Sequence, residues 1–168
     1  MNLANFFEQY PVFTYDDFKR FLQSLGTTNP NTQRELLAYH LKKQHILRIK
    51  RGLFASIPLS YQHTIETFPV DPYLVAGRIR NDAVIAYLSA LDFHGVSYAF
   101  HYQYYYMSES VIYPFNFNEA EFVCLSFPKA LVEQQATNFE VLSVERHGLN
   151  IQVTSLERTI VDVLDRPN

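Results

Sequence analysis

The sequence predicts an α+β chain: an N-terminal winged helix-turn-helix, followed by a mixed helix and antiparallel-sheet domain. Three observations predict it. Helical patterns give way to a short basic strand, a Lys50-Arg51-Gly52 turn and a second short strand. The two ends of the chain carry opposite charge. Residues 98–127 then read as strands, dense in Tyr and Phe. With 168 residues, 48% of them hydrophobic, the chain can bury a real core in one domain or two small ones, which argues against disorder.

The elements follow in order. Asn2 to Gln9 reads as a short helix with Leu3, Phe6 and Phe7 on one face, stopped by Pro11. Val12-Phe13 suits a short strand. Thr14 is an N-cap signal with Asp17 completing a capping box, and Phe18, Phe21, Leu22 and Leu25 follow at helical spacing up to Gly26. Asn29-Pro30 opens a third helix running to about Gln44. Leu37 and Leu41 point inward there, with Leu36 and His40 flanking, and Thr32, Glu35, Tyr39, Lys42 and Lys43 lie outside.

Residues 57–70 read as a linker, with Pro58 and Pro69. The second domain, 71–168, opens with Asp71-Pro72 at a helix start. Asn81-Asp82 caps an expected helix through Phe93, apolar nearly all round and so expected to be buried, Leu88 with it. Strands at 139–146 and 149–153 form an expected hairpin around His147-Gly148. Thr154 with Glu157 suggests a capping box, and Leu156, Ile160, Val163 and Leu164 form a helical stripe.

Charge separates the two parts. Residues 1–56 hold eight Lys and Arg against four Asp and Glu, a balance of +4; the remainder holds six against 13, or −7. The total of −3 hides a basic end that can attract nucleic acid. A helix fits the major groove, and a basic hairpin beside it can touch neighbouring phosphates. On this reading Thr32, Gln33 and Arg34 reach base edges, Arg34 being suited to a bidentate contact with guanine. Tyr39 faces the same side. Lys42, Lys43, Arg48, Lys50 and Arg51 hold phosphates. Gly52 lets the hairpin turn tightly, because glycine takes positive φ freely.

Other chemistry finds little support. The single Cys124 excludes an internal disulfide and reads as a buried small side chain. His40 and His45, five apart, would lie on different helix faces, and no His-Glu-x-x-His occurs, so no metal is expected. No Gly-rich phosphate loop and no Gly-x-Ser-x-Gly elbow occurs. Neither a catalytic residue nor a cofactor is assigned, and the chain is expected not to be an enzyme. The aromatic run from Tyr98 to Phe117 could stack on unpaired bases, but residues 81–128 contain no Lys or Arg. Core packing with hydroxyls at the rim is the reading taken. Met1-Asn2-Leu3-Ala4-Asn5 lacks a secretory pattern and no apolar run of membrane length occurs, so a cytoplasmic location is expected. A DNA-acting nuclease, or a protein-interaction module using the basic hairpin, remains the alternative.

Four phrases together resemble the AbiEi antitoxin family: Arg51-Gly52-Leu53-Phe54-Ala55, Asp71-Pro72-Tyr73-Leu74-Val75-Ala76, Ala86-Tyr87-Leu88-Ser89-Ala90-Leu91-Asp92-Phe93-His94-Gly95, and Val153-Thr154-Ser155-Leu156-Glu157-Arg158-Thr159-Ile160-Val161-Asp162. The resemblance implies a type IV antitoxin that represses its own promoter. It would bind inverted repeats in double-stranded DNA through an N-terminal winged helix; a homodimer on the operator is expected separately, because one such module buries only about 600–1,000 Å² on DNA. It also implies a functional partner, an AbiEii-like toxin resembling a nucleotidyltransferase, countered without a stable complex. Members of the family continue into a helical region past the Glu-Arg-Thr helix, and residues 71–168 are expected to lack it.

Overall fold

The computed structural model describes residues 2–61, 68–97 and 102–165. It is a mixed α+β chain that divides into two compact units. The first holds residues 1–70 and groups with them His147–Leu149; the second holds Asp71–Arg146 and Asn150–Asn168.

The first unit begins with α1 (Leu3–Gln9), β1 (Val12–Thr14) and α2 (Tyr15–Ser24). The capping box at α2 forms as its spacing predicts. Thr14 Oγ1 accepts from the Asp17 amide at 3.1 Å, and Asp17 Oδ2 accepts from the Thr14 amide at 2.9 Å. Helix α3 (Pro30–Lys42) starts at an Asn29 cap, with Pro30 at its first position. Strands β2 (Ile46–Lys50) and β3 (Leu53–Ser56) follow, in a sheet of order β1-β3-β2 with both pairings antiparallel. As the central strand, β3 is buried along its whole length. Phe6, Phe13, Phe18, Leu22, Leu37, Ile46 and Phe54 make one core. The aromatic rings meet edge-on and stacked, Phe6 against Phe13 at 5.2 Å and Phe13 against Phe54 at 5.6 Å.

The second unit holds α4 (Pro72–Arg78), β4 (Val84–Ile85), α5 (Tyr87–Phe93), β5 (Gln103–Met107), β6 (Phe115–Phe117), β7 (Ala120–Leu125), α6 (Lys129–Glu133), β8 (Val141–Arg146), β9 (Leu149–Thr154) and α7 (Leu156–Asp165). Its sheet runs β6-β7-β5-β4-β9-β8. The sheet is not purely antiparallel: β4 lies parallel to β9, and β5 parallel to β7. The chain between each pair is long enough to return to the same end, which parallel pairing requires. Between β5 and β7 it does so through β6, which pairs antiparallel to β7.

Three further expectations give way here. The apolar run at 81–93 is not one helix. Val84 and Ile85 form a strand, the chain turns at Tyr87 with φ +54°, and only Tyr87–Phe93 is helical. Leu88 is 37% exposed, so it does not sit in the core. An apolar run buried on most sides has the same pattern as strand or as helix, so periodicity did not separate them. The cap of α7 is Ser155, whose Oγ accepts from the Arg158 amide at 3.2 Å. Thr154 is the last residue of β9, and its hydroxyl pairs with that of Thr159 at 2.7 Å. The stripe on α7 holds only in part: Leu156 and Val163 are half-buried, Val163 against the core, but Ile160 and Leu164 are exposed, and Arg158, Thr159 and Asp162 are buried.

Strand β7 alternates, with Phe122 and Cys124 buried, but β5 does not: its neighbours Tyr106 and Met107 are both fully buried, and the Tyr106 hydroxyl lies inside rather than at the rim. Tyr98 and Phe100 lie outside the described residues. Cys124 is buried.

Candidate nucleic-acid interface

The site is built on α3 and the β2–β3 hairpin. Pro30 presets the first turn of α3, and Asn29 Oδ1 accepts from the Asn31 amide at 2.9 Å, closing the helix N-terminus. Gln33, Leu37 and His40, spaced by four and three residues, form the buried stripe. The complementary face is solvent-exposed and carries Thr32, Arg34, Glu35, Tyr39 and Lys42, with Lys43 just past the end. Arg34 Nη1 reaches Asn31 Oδ1 at only 3.5 Å, a loose contact that leaves the guanidinium near solvent. Lys43 Nζ lies 6.0 Å from the centre of the Tyr39 ring.

Gln33 leaves the predicted set of base readers. It is fully buried, and its Nε2 donates to the Thr27 carbonyl at 2.8 Å, fastening the α2–α3 turn to the helix. One turn of helix separates it from Leu37, which places both on the inward face. That spacing was the available signal, but a glutamine suits either face.

In the hairpin, Arg48 and Arg51 are exposed and Lys50 is half-buried. The Arg48 guanidinium carbon stands over the Phe54 ring, 5.8 Å from its centre. The register slips between Arg48 and Lys50 before Lys50 pairs with Leu53 across the turn. Gly52 takes φ +83°, as the tight turn requires, and its carbonyl accepts from the Tyr15 amide at 2.9 Å.

Sequence reasoning missed a histidine pair. The chain reverses at Gln44, with φ +58°, and brings His45 back onto the end of α3. The Nδ1 atoms of His40 and His45 then stand 2.9 Å apart. One must carry a proton and the other a lone pair, so the two rings cannot both be imidazolium in this geometry. Burial first, and His45 second, hold the His40 pKa below the usual histidine value.

The second unit has a polar cluster of its own. Asp71 caps α4 through Oδ1 and pairs with Arg146 Nε at 2.6 Å through Oδ2. The Arg146 guanidinium lies 4.8 Å from the Tyr73 ring and 5.6 Å from the Phe93 ring. The Tyr73 hydroxyl donates to Asp92; burial and that carboxylate push the phenol pKa well up. His94 Nε2 donates to the Thr154 carbonyl at 2.8 Å. The three later phrases of the sequence resemblance thus meet one another through side chains that hold the fold together.

Among the described residues, no group of three or more His, Cys, Asp and Glu is placed to hold a metal ion. Nor, among them, is any helix long and apolar enough to cross a membrane. The geometry defines a mixed α+β chain with an exposed, cation-bearing helix and hairpin in its first unit. No protein-family model matches this chain, and no curated protein matches it.

Proposed function

We propose that the chain is a cytoplasmic DNA-binding transcriptional regulator whose first unit acts as a winged helix. One observation carries the reading. Helix α3 and the β2–β3 hairpin, in the same unit, expose Thr32, Arg34, Tyr39, Lys42, Lys43, Arg48 and Arg51. In this reading α3 enters the major groove, Thr32 and Arg34 meet base edges near its start, and the cations from Lys42 to Arg51 hold phosphates. Gln33 supports the helix from inside. The resemblance to AbiEi antitoxins adds the promoter's own inverted repeats as target and an AbiEii-like toxin as the activity opposed. The reading assigns the chain no catalytic step.

Salt dependence of binding to duplex DNA tests it. If Lys42, Lys43, Arg48, Lys50 and Arg51 each neutralise a phosphate, the log–log slope of affinity against salt is roughly −4 to −5. A salt-insensitive interaction overturns the reading. One such module buries only about 600–1,000 Å² on DNA, so a specific operator calls for two copies on half-sites about 34–36 Å apart or a multiple of that. A footprint of a single half-site at saturating protein would refute the paired mode.

A further inference from the structure

The outward face of α7 has no use in the reading above. Its residues are Glu157, Ile160, Val161, Leu164 and Asp165, all exposed. Ile160 is 47% exposed, Val161 64% and Leu164 75%. Spacings of three and four residues align these side chains in one strip. The inward face holds an arginine, a threonine and an aspartate, with the Arg158 guanidinium bonded to Asp162 and to the carbonyls of Thr137 and Phe139. This helix packs Val163 against the core and leaves three further branched aliphatics, Ile160, Val161 and Leu164, in water on the opposite side. Isolated exposed aliphatics are common, but an ordered strip at helical spacing is the form a partner helix reads.

Charge selects the occupant. The strip ends in a carboxylate on each side, Glu157 and Asp165, and that face carries no cation among the described residues. A second copy of α7 laid antiparallel would set Glu157 against Asp165; laid parallel, it would set each against its twin. Acid therefore meets acid in both directions. Residues 71–165 hold five Lys and Arg against 12 Asp and Glu, so the wider field also repels anionic surfaces. We propose that the α7 strip docks a cationic amphipathic helix of a partner polypeptide. That helix presents aliphatic residues at i, i+3 or i+4 and i+7, with Lys or Arg about 12 Å apart to meet the two carboxylates.

The test uses the full chain and two synthetic helical peptides with one leucine pattern, the first flanked by lysines and the second by glutamates. The lysine peptide should shift the methyl resonances of Ile160, Val161 and Leu164. The glutamate peptide should bind at least about tenfold more weakly. Leu164→Ser should weaken the lysine peptide by a similar factor and keep the fold by circular dichroism, since this side chain is outside. The double variant Glu157→Lys, Asp165→Lys should reverse the preference between the peptides. Equal binding of both peptides, failure of the lysine peptide to bind, or resonance shifts confined to other surfaces would overturn the proposal. So would a concentration-dependent dimer that Leu164→Ser abolishes, which would assign the strip to a second copy.

Discussion

Gln33 and Arg34 are adjacent in the chain and belong to opposite sides of α3. Arg34→Ala should cost about 1–3 kcal/mol on the operator and little on random DNA, if it reads a base as proposed. Gln33→Ala should instead cost about 1–3 kcal/mol of folding stability, because it leaves the buried end of its bond to Thr27 unmade. Chemical denaturation of both variants beside binding on both DNAs separates the roles; a base-specific defect for Gln33→Ala would reverse the assignment. His40 gives a pH dependence. Its pKa is lowered in the folded chain, so the unfolded chain binds the proton first on acidification. The stabilisation is complete above about pH 6.5 and is lost as pH falls from there toward the depressed folded value. The melting temperature of the natural chain should drop more than that of His40→Gln between about pH 7 and pH 5. Parallel curves would show that His40 is not the titrating element. The charged residues of α3 could be placed outside from their chemistry alone. Gln33 and the histidine pair could not, since their positions depend on helix phase and on a chain reversal at a non-glycine residue.

Among elements, local signals were readable and long-range ones were not. The caps at Thr14, Asn29 and Asp71 follow from spacing within a few residues, and each forms. The run at 81–93 failed because a short stretch apolar nearly all round reads alike as strand or helix. Its strand is defined by β5 and β9, partners distant in sequence. Helix α5 now supports a sharp comparison. Ser89 is buried, and its hydroxyl accepts from the Tyr105 amide at 2.7 Å, so Ser89→Ala should cost about 1–3 kcal/mol. Leu88→Asp, on the exposed side, should cost no more than about 1 kcal/mol. A larger loss at Leu88 than at Ser89 would contradict this orientation. Gly77 fixes how closely α4 approaches β9. A Cβ there would stand 2.7 Å from Ile151 Cγ2 and 2.9 Å from its Cβ, so Gly77→Ala should destabilise by about 1–3 kcal/mol through overpacking. Ile151→Val in the same chain should relieve little of that, because valine keeps both the Cβ and the Cγ2 methyl that the new Cβ meets.

For the whole molecule, the opposite charges of the two parts and the α+β class could be read from composition and order. The direction of the central strands could not. Alternation looks the same in parallel and antiparallel pairs, and only the paths of the connecting chain distinguish them. The phrases from Asp71 to Asp162 turn out to share one framework. Tyr73 reaches Asp92, His94 reaches Thr154, and Thr154 reaches Thr159. Sequence likeness at these positions therefore tracks folding of the second unit, and says nothing direct about what the first unit contacts. Each unit also has its own aromatic or aliphatic core. Phe18→Ala should remove about 3–5 kcal/mol from the first unit. Resonances around Met107 and Phe127 should survive at temperatures where those around Phe13 and Phe54 have collapsed. A single shared loss would show that the two cores melt together.

The bond from the Tyr15 amide to the Gly52 carbonyl joins the hairpin tip to the first turn of α2. Only Arg51 and Gly52 lie beyond the paired strands, so the tip has little freedom to surrender when something grips it. The Tyr15 amide therefore works as a built-in gauge of the tip's motion. Deuterium uptake at that one position should slow when the hairpin is engaged and quicken in Gly52→Val, whose side chain opposes the turn's positive φ.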